Sequence, residues 1–491
     1  MLSHFRIAIV GSGFSGLGMA IRLRKEGIDD FVVLERADDL GGTWRDNTYP
    51  GCQCDVPSRL YSFSFAPNPG WSRTYSGQEE IWQYLRDCAR RYGVEDRIRY
   101  RHEVRSCKWD ESSGRWTVRT TGGDVTAEVL VAGTGPLSEP AIPAIAGLET
   151  FSSARFHSAN WDHELDLAGR RVAVIGTGSS AIQMVPLIQP LVKSLHLFQR
   201  TPAWILPHRD RPVLPLARRL YGWVPGIQEL VRGFVYWTRE LFVLPFLKVR
   251  ADSAPEKLAR DHLAKQVPDP ELRARLTPEY AIGCKRILIS NLFYPAIQQP
   301  NVELVTDAIR EVRPNSIVTA DGREHEVDAI ILATGFRVTE VPFADRVRGR
   351  DGRLLSDLWR DGAVAYRGTT VAGFPNFFML LGPNTGLGHT SVLLMVEAQI
   401  GYVMGCLRHL ERVGAAVAEV KPVAQETFNI RIQDALKATV WNSGGCRSWY
   451  LTPEGKNTTI WPGSTWPYLR LMRRFDPAAY RLSSKAGAVP A

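Results

Sequence analysis

Residues 6–18 read RIAIVGSGFSGLG. The apolar run Ile7 to Val10 meets Gly11, Gly13 and Gly16 in GxGxxG spacing, and Leu17 to Lys25 follows with the apolar period of a helix. A second apolar run, Phe31 to Leu34, ends in Glu35. Strand, glycine turn, helix, strand and acid in that order leave few folds open. Gly11 permits the tight turn, Gly13 lets backbone N–H groups approach a diphosphate, and Gly16 lets helix and strand pack closely. Glu35 stands where a carboxylate accepts hydrogen bonds from a ribose. The segment therefore reads as a dinucleotide site.

The unit recurs. Residues 171–181 read RVAVIGTGSSA, so that Gly176, Gly178 and Ala181 give GxGxxA after a second apolar run. The next predicted strand, Leu195 to Phe198, ends in Gln199-Arg200-Thr201 rather than an acid. A carboxylate there would repel a 2′-phosphate, whereas an Arg pairs with one through two parallel hydrogen bonds. The second site thus reads as NADP rather than NAD. The fold class expected is α/β, with two Rossmann-like dinucleotide-binding domains. Such a pair predicts a flavoprotein, with FAD held in the first domain and a visiting NADPH in the second. Hydride must pass between them, so the two sites must face each other.

The remaining chain is consistent with that frame. Its 491 residues suffice for two to four domains and a large core. Lys plus Arg exceed Asp plus Glu by 60 to 51, and the excess is spread along the chain, which suits bound phosphates and gives no reason to expect nucleic acid. Seven cysteines, an odd number, argue against a disulfide framework and for a reducing, cytoplasmic setting. The first strand begins so near residue 1 that no signal peptide is expected. The most apolar long stretch, Leu230 to Leu247, is interrupted by Arg232, Arg239 and Glu240, so no transmembrane helix is predicted.

Residues 1–140 read as the first part of the FAD domain, with a helix over 77–92, short strands over 101–120 and a strand over 128–135. The proline-rich stretch around 141–150 reads as a hinge. Residues 151–330 form the NADP domain, with a helical insert at about 205–280. Residues 331–491 return to the FAD domain and carry a C-terminal active-site loop. There Ala333 and Thr334 end a closing strand at a nucleotide, and 374–381 reads as a further strand. The turn Gly382–Gly386, which carries the cofactor-site candidate Asn384, leads into a helix over about 390–412 whose N-terminus is expected to face the flavin or its diphosphate. The residues after Ser483 read as a loose tail.

Several motifs resemble those of the type I Baeyer–Villiger monooxygenases, a class B flavoprotein group related to the flavin-containing monooxygenases. Phe151-x-Ser153-xxx-His157-xxx-Trp161-Asp162 resembles the family pattern FxGxxxHxxxW followed by P or D. Gly41-Gly42-x-Trp44-xxxx-Tyr49-Pro50-Gly51-xxx-Asp55 is similar to a second motif throughout, and Thr134 to Pro143 and Ala333-Thr334-Gly335 also fit. The departure is Ser153, where the family has Gly. A positive φ at that position would cost Ser about 1 kcal/mol.

The resemblance implies an NADPH- and O2-dependent conversion of a ketone to an ester or lactone through a C(4a)-peroxyflavin. It also implies a fixed cation beside an anionic oxygen. Here that matches Arg286, in Gly283-Cys284-Lys285-Arg286, with Asp55 orienting it and Lys285 joining Arg200 and Thr201 at the 2′-phosphate. Gly42, Thr43 and Trp44 would lie beside the flavin. Phe151, His157, Trp161 and Asp162 would couple the domains, and Trp449 would close a loop over the substrate.

Other residues offer weaker signals. Cys52-x-Cys54 has a spacing that strains a disulfide, and with no further CxxC pair, metal binding is not expected. Both cysteines read as packing residues. Trp223, Phe234, Tyr236, Trp237, Phe242 and Phe246 in the insert could line an apolar pocket or meet a membrane surface, but helical core is the expected role. The rival activity is oxygenation at sulfur or nitrogen, which needs no anion-stabilising Arg.

Overall fold

A computed structural model of the chain describes residues 2–249 and 252–484. The first apolar run becomes the strand Ser3–Val10, which lies parallel between Phe31–Leu34 and Val125–Ala132 in the middle of an eight-stranded sheet. The helix Phe14–Lys25 follows the glycine turn. A Cβ on Gly16 would stand 1.8 Å from the Gly11 carbonyl oxygen, so the close packing of helix on strand depends on that glycine. The antiparallel strands Val104–Asp110 and Arg115–Thr120 extend the sheet on one side. The late strands Val347–Arg348 and Phe377–Met379 also join it, so the chain does return to the first sheet. The apolar stretch 374–381 yields only the short strand Phe377–Met379.

The second unit builds a five-stranded parallel sheet. Arg171–Ile175 sits between Ser194–Phe198 and Ala329–Leu332, with Val302–Val305 and Ala154–His157 at the edges. All five strands run parallel, and the central ones are buried along nearly their whole length, as expected of a parallel sheet covered on both faces. Ser153 is not among the residues with positive φ, so the serine carries no backbone strain.

The chain crosses between the sheets twice, and the two crossings are tied together. Ala141 N–H donates to the Gly335 carbonyl at 2.8 Å, and Arg337 N–H donates to Glu139 at 2.9 Å. The proline-rich segment and the segment after Leu332 thus form a paired connection rather than two loose linkers.

Between the second sheet's strands, 205–280 is mostly helical, with Pro215–Trp223, Ile227–Leu241, Ala254–Gln266 and Pro270–Arg275. The expectation that its aromatic residues form a helical core fails for half of them. Phe246 is buried and Tyr236 and Phe242 are half-buried, but Trp223, Phe234 and Trp237 are exposed. Helical spacing identifies an apolar face; it does not say whether the protein covers that face. No helix of the described residues is long and apolar enough to cross a membrane. The tail expected after Ser483 lies, beyond Ser484, outside the described residues.

Candidate active site

The two glycine turns open into one cavity of about 1490 Å³ between the sheets. Gly13 caps the helix Phe14–Lys25 and Gly178 caps Ser179–Ile188, and no side chain caps either N-terminus. Unsatisfied N–H groups at both helix ends make two anion cradles. A Cβ on Gly13 would come no closer than 3.7 Å to any protein atom, and one on Gly178 would meet nothing within 4 Å. The space before each helix is therefore open. These cradles fit the diphosphates of two dinucleotides.

Most of the residues expected at the site line this cavity. Gly11, Gly13, Glu35, Gly42, Thr43, Trp44 and Asp55 line it from the first sheet's side, and Gly176, Gly178, Arg200 and Thr201 from the second's. Lys285, Arg286, Ala333, Thr334 and Trp449 complete the wall. Glu35 lies at the end of its strand and is 4% exposed. It accepts from Ser12 N–H at 2.9 Å, Ser12 Oγ at 2.6 Å, Ala37 N–H at 3.0 Å and Arg45 at 3.0 Å. Burial alone would raise its pKa, but the Arg45 guanidinium and these donors outweigh it and hold the carboxyl below its ordinary value. Arg45 was not singled out in the sequence, because a cation there is no part of the glycine-turn pattern.

Asp55 and Arg286 come together as a two-pronged ion pair. Arg286 Nε donates to Asp55 Oδ2 and Nη2 donates to Oδ1, both at 2.6 Å, and Nη1 lies 3.4 Å from the Leu387 carbonyl. The side chains are only 28% and 24% exposed. Desolvation opposes both charges, yet each partner stabilises the other, so Asp55 is held below its ordinary pKa and Arg286 above it. The pair stays charged across any working pH. Tyr450, missed in the sequence, is buried near this pair, and its Oη has no hydrogen-bond partner among the described residues. Its neighbour Trp449 was the visible signal; the buried hydroxyl was not.

Lys285 lies over the Tyr280 ring at 5.1 Å. Burial, and then the nearby Arg200, lower its pKa. Two cations crowded at one end of the cavity are the arrangement a phosphate relieves.

Other expected residues sit behind the wall. Gly16 and Ala181 pack helix against sheet. Phe151 belongs to the second sheet's core. His157 is buried, its Nδ1 accepts from Ala159 N–H at 3.1 Å, and its ring lies 5.7 Å from Phe336 in the paired connection. Burial pushes its pKa down. Trp161 packs edge-on against Phe156 at 5.2 Å, and the Asp162 carboxylate accepts from Glu164 N–H at 3.0 Å. Asn384 differs from expectation. It does not line the cavity; its Nδ2 donates to the carbonyls of Asn457 at 2.9 Å and Ile460 at 3.2 Å. The helix expected over about 390–412 spans Leu393–Val413, and its first residue, with Thr390 and Val392 before it, lines the cavity.

The cysteines also correct the sequence reading. Cys284 and Cys446 are joined by a disulfide across 162 residues. It ties the residue before Lys285-Arg286 to the loop that carries Trp449. A pairing over that distance leaves no local spacing to read. Cys52 and Cys54 remain free thiols, and burial pushes both up, Cys52 to about 12, which disfavours the reactive thiolate. The described residues hold one cluster with metal-ligand chemistry, His196, Glu303 and His325, and it lies away from the cavity. There both imidazoles face Glu303, at 3.0 and 3.3 Å, and Arg323 pairs with the same carboxylate.

Residues 8–205 match the family model described as pyridine nucleotide-disulphide oxidoreductase. The chain is 52% identical to a Baeyer–Villiger monooxygenase of Streptomyces coelicolor, over 99% of this chain and 94% of that one. The chain belongs to the Baeyer–Villiger monooxygenase family. A second member of that family, from Pseudomonas aeruginosa, is 50% identical over 98% of this chain and 92% of its own. Among solved structures, the closed form of cyclohexanone monooxygenase superposes with a TM-score of 0.88 at 29% identity, over 99% of this chain and 100% of that one. A crystal structure of OTEMO in complex with FAD and NADP gives 0.87 at 25% identity, over 98% of this chain and 99% of that one. These relationships span both sheets and the loop that carries Trp449.

Proposed function

We infer that this protein is an FAD-dependent Baeyer–Villiger monooxygenase that uses NADPH and O2 to convert a ketone to an ester or lactone. Per turnover, one oxygen atom enters the product, the other leaves as water, and NADPH gives up two electrons. The observation that carries the reading is the Asp55–Arg286 pair, held in a cavity shared by two anion cradles. Bound FAD would store the electrons and activate dioxygen.

The chain's own residues do the rest. The N–H groups behind Gly13 hold the FAD diphosphate, Glu35 orients the ribose, and Gly42, Thr43 and Trp44 form the wall beside it. Gly176 and Gly178 hold the NADP diphosphate, with Arg200, Thr201 and Lys285 at the 2′-phosphate. Ala333 and Thr334 close the nucleotide wall. Arg286 stabilises negative charge on oxygen without giving up a proton, and Asp55 fixes its guanidinium. His157 and Phe151 support the paired connection from behind, Trp161 and Asp162 shape the segment that follows, and Trp449 contacts the ketone. The FAD domain comprises 1–140 and 331–491, the hinge 141–150 and the NADP domain 151–330. Oxygenation at sulfur or nitrogen is not favoured as the main activity, because it gives Arg286 no anion to stabilise.

Product analysis tests the reading. Turnover with NADPH and a panel of ketones is expected to yield esters or lactones, and a thioether offered alone a slower side reaction. Sulfoxide formation with every ketone left untouched would contradict it.

The cofactor assignment has its own test. A charge-assisted pair contributes about 1.5–3 kcal/mol, so Arg200→Ala is expected to weaken NADPH binding roughly 10- to 150-fold and leave NADH nearly unaffected. Titrations with both cofactors decide it; equal losses would remove Arg200 from the 2′-phosphate.

A further inference from the structure

The helix Ile227–Leu241 turns Arg232, Arg239 and Glu240 toward the protein and a stripe of large apolar residues toward water. Arg232 Nη1 donates to the carbonyls of Arg59 at 3.0 Å and Ser62 at 2.9 Å, and Arg239 Nη2 donates to Tyr75 Oη at 2.8 Å. Glu240 is buried and accepts from Thr465 N–H at 2.7 Å and Oγ1 at 2.6 Å. These contacts fix which side of the helix faces inward. On the other side, Leu230, Phe234, Trp237 and Leu241 are 58–76% exposed, and Leu244 in the next turn continues the stripe. The preceding helix Pro215–Trp223 has no buried residue, and it adds Leu216 and Trp223, with Leu214 just before it, at 66–75% exposure. An ordinary surface helix has the opposite arrangement. An exposed apolar stripe of this kind marks an interaction site.

We propose that this two-helix surface docks the enzyme onto an anionic lipid bilayer, lying in the interface without crossing it. Charge identifies the occupant. Among residues 209–249 the exposed ionisable side chains are Arg209, Arg211, Arg219 and Lys248 against Glu229 alone. Arg219 stands one helical turn before Trp223, and Lys248 follows the apolar stripe four residues after Leu244, so exposed cations stand at both ends of the segment. Tryptophan, phenylalanine and leucine on one face with Arg and Lys at its margins suit the boundary between headgroups and acyl chains. A second copy of the chain fits less well. The stripe on Ile227–Leu241 covers about two heptads, short of the three to four a coiled coil sustains. Pairing two such faces would also bring like-charged margins together.

The test is co-sedimentation of the FAD-loaded enzyme with vesicles, either phosphatidylcholine alone or equal parts phosphatidylcholine and phosphatidylglycerol. The wild type is expected to bind the mixed vesicles more tightly, and added salt to weaken that binding. Arg219→Gln with Lys248→Gln should lower affinity for mixed vesicles roughly 30-fold and leave affinity for phosphatidylcholine unchanged. Leu230→Ser, Phe234→Ser and Trp237→Ser together should abolish sedimentation while NADPH oxidation stays at the wild-type rate, which shows that the fold is intact. Failure of the wild type to sediment with either vesicle overturns the proposal, as does equal binding by the triple variant. A stripe-dependent dimer in light scattering without vesicle binding also overturns it and assigns the face to a second copy.

Discussion

Arg286→Ala is expected to keep its FAD and most of its rate of flavin reduction by NADPH, yet to lose ester formation about 100- to 1000-fold. The expectation follows from where charge develops. Reduction of the flavin by NADPH places no negative charge on a substrate oxygen, whereas oxygen transfer to a ketone does, and that charge is what the Arg286 guanidinium would stabilise. One preorganised charge donor removed from a water-poor site costs about 3–4 kcal/mol of transition-state stabilisation. Arg286 is preorganised, since Asp55 holds two of its nitrogens at 2.6 Å. Oxygen is still consumed in the variant, with the electrons leaving as hydrogen peroxide. Arg286→Lys should rescue only in part, because a single ammonium cannot reproduce the fork that Asp55 grips. Stopped-flow reduction and product yield, measured on the same preparation, check both halves; wild-type coupling in the Ala variant would make Arg286 a bystander.

Two glycines of the same motif, Gly13 before the helix Phe14–Lys25 and Gly16 within it, separate folding from cofactor binding. Gly13→Val should give a folded protein that purifies without FAD. The added side chain meets open space in the protein, its nearest protein atom 3.7 Å from the Cβ, but it occupies the approach of a diphosphate to the helix end. Gly16→Val should instead fail to fold, because its Cβ would overlap the Gly11 carbonyl oxygen at 1.8 Å. Absorbance of bound flavin and circular dichroism distinguish the cases. A yellow, FAD-replete Gly13→Val protein would remove the diphosphate from that cradle.

The contrast shows why part of this molecule is legible from sequence. A glycine turn between a strand and a helix is local, so both dinucleotide units and the sheets around them follow from short stretches of residues. Arg200 is legible for the same reason, since it stands at a strand end where the pattern expects a carboxylate. Other features depend on distant partners. Asp55 and Arg286 are 231 positions apart. Only the likeness to a family brought them together before the structure did. Cys284 and Cys446 have no such motif, and an odd cysteine count pointed the other way. Asn384 stands off the cavity wall for the same reason, since its side-chain amide holds Asn457 and Ile460, more than 70 positions away. The insert was misread because periodicity reports the presence of an apolar face and not its cover. Arg232, Arg239 and Glu240, which interrupt the apolar run in sequence, are among the residues that face the protein.

One atom of dioxygen is expected to enter the ketone and the other to leave as water. Turnover under oxygen-18 gas, with NADPH and a ketone the enzyme accepts, measures this by mass spectrometry. One labelled atom per ester or lactone, with one NADPH oxidised per product, is the predicted result; NADPH oxidation that yields only labelled hydrogen peroxide across cyclic and linear ketones, or an ester without label, would contradict it.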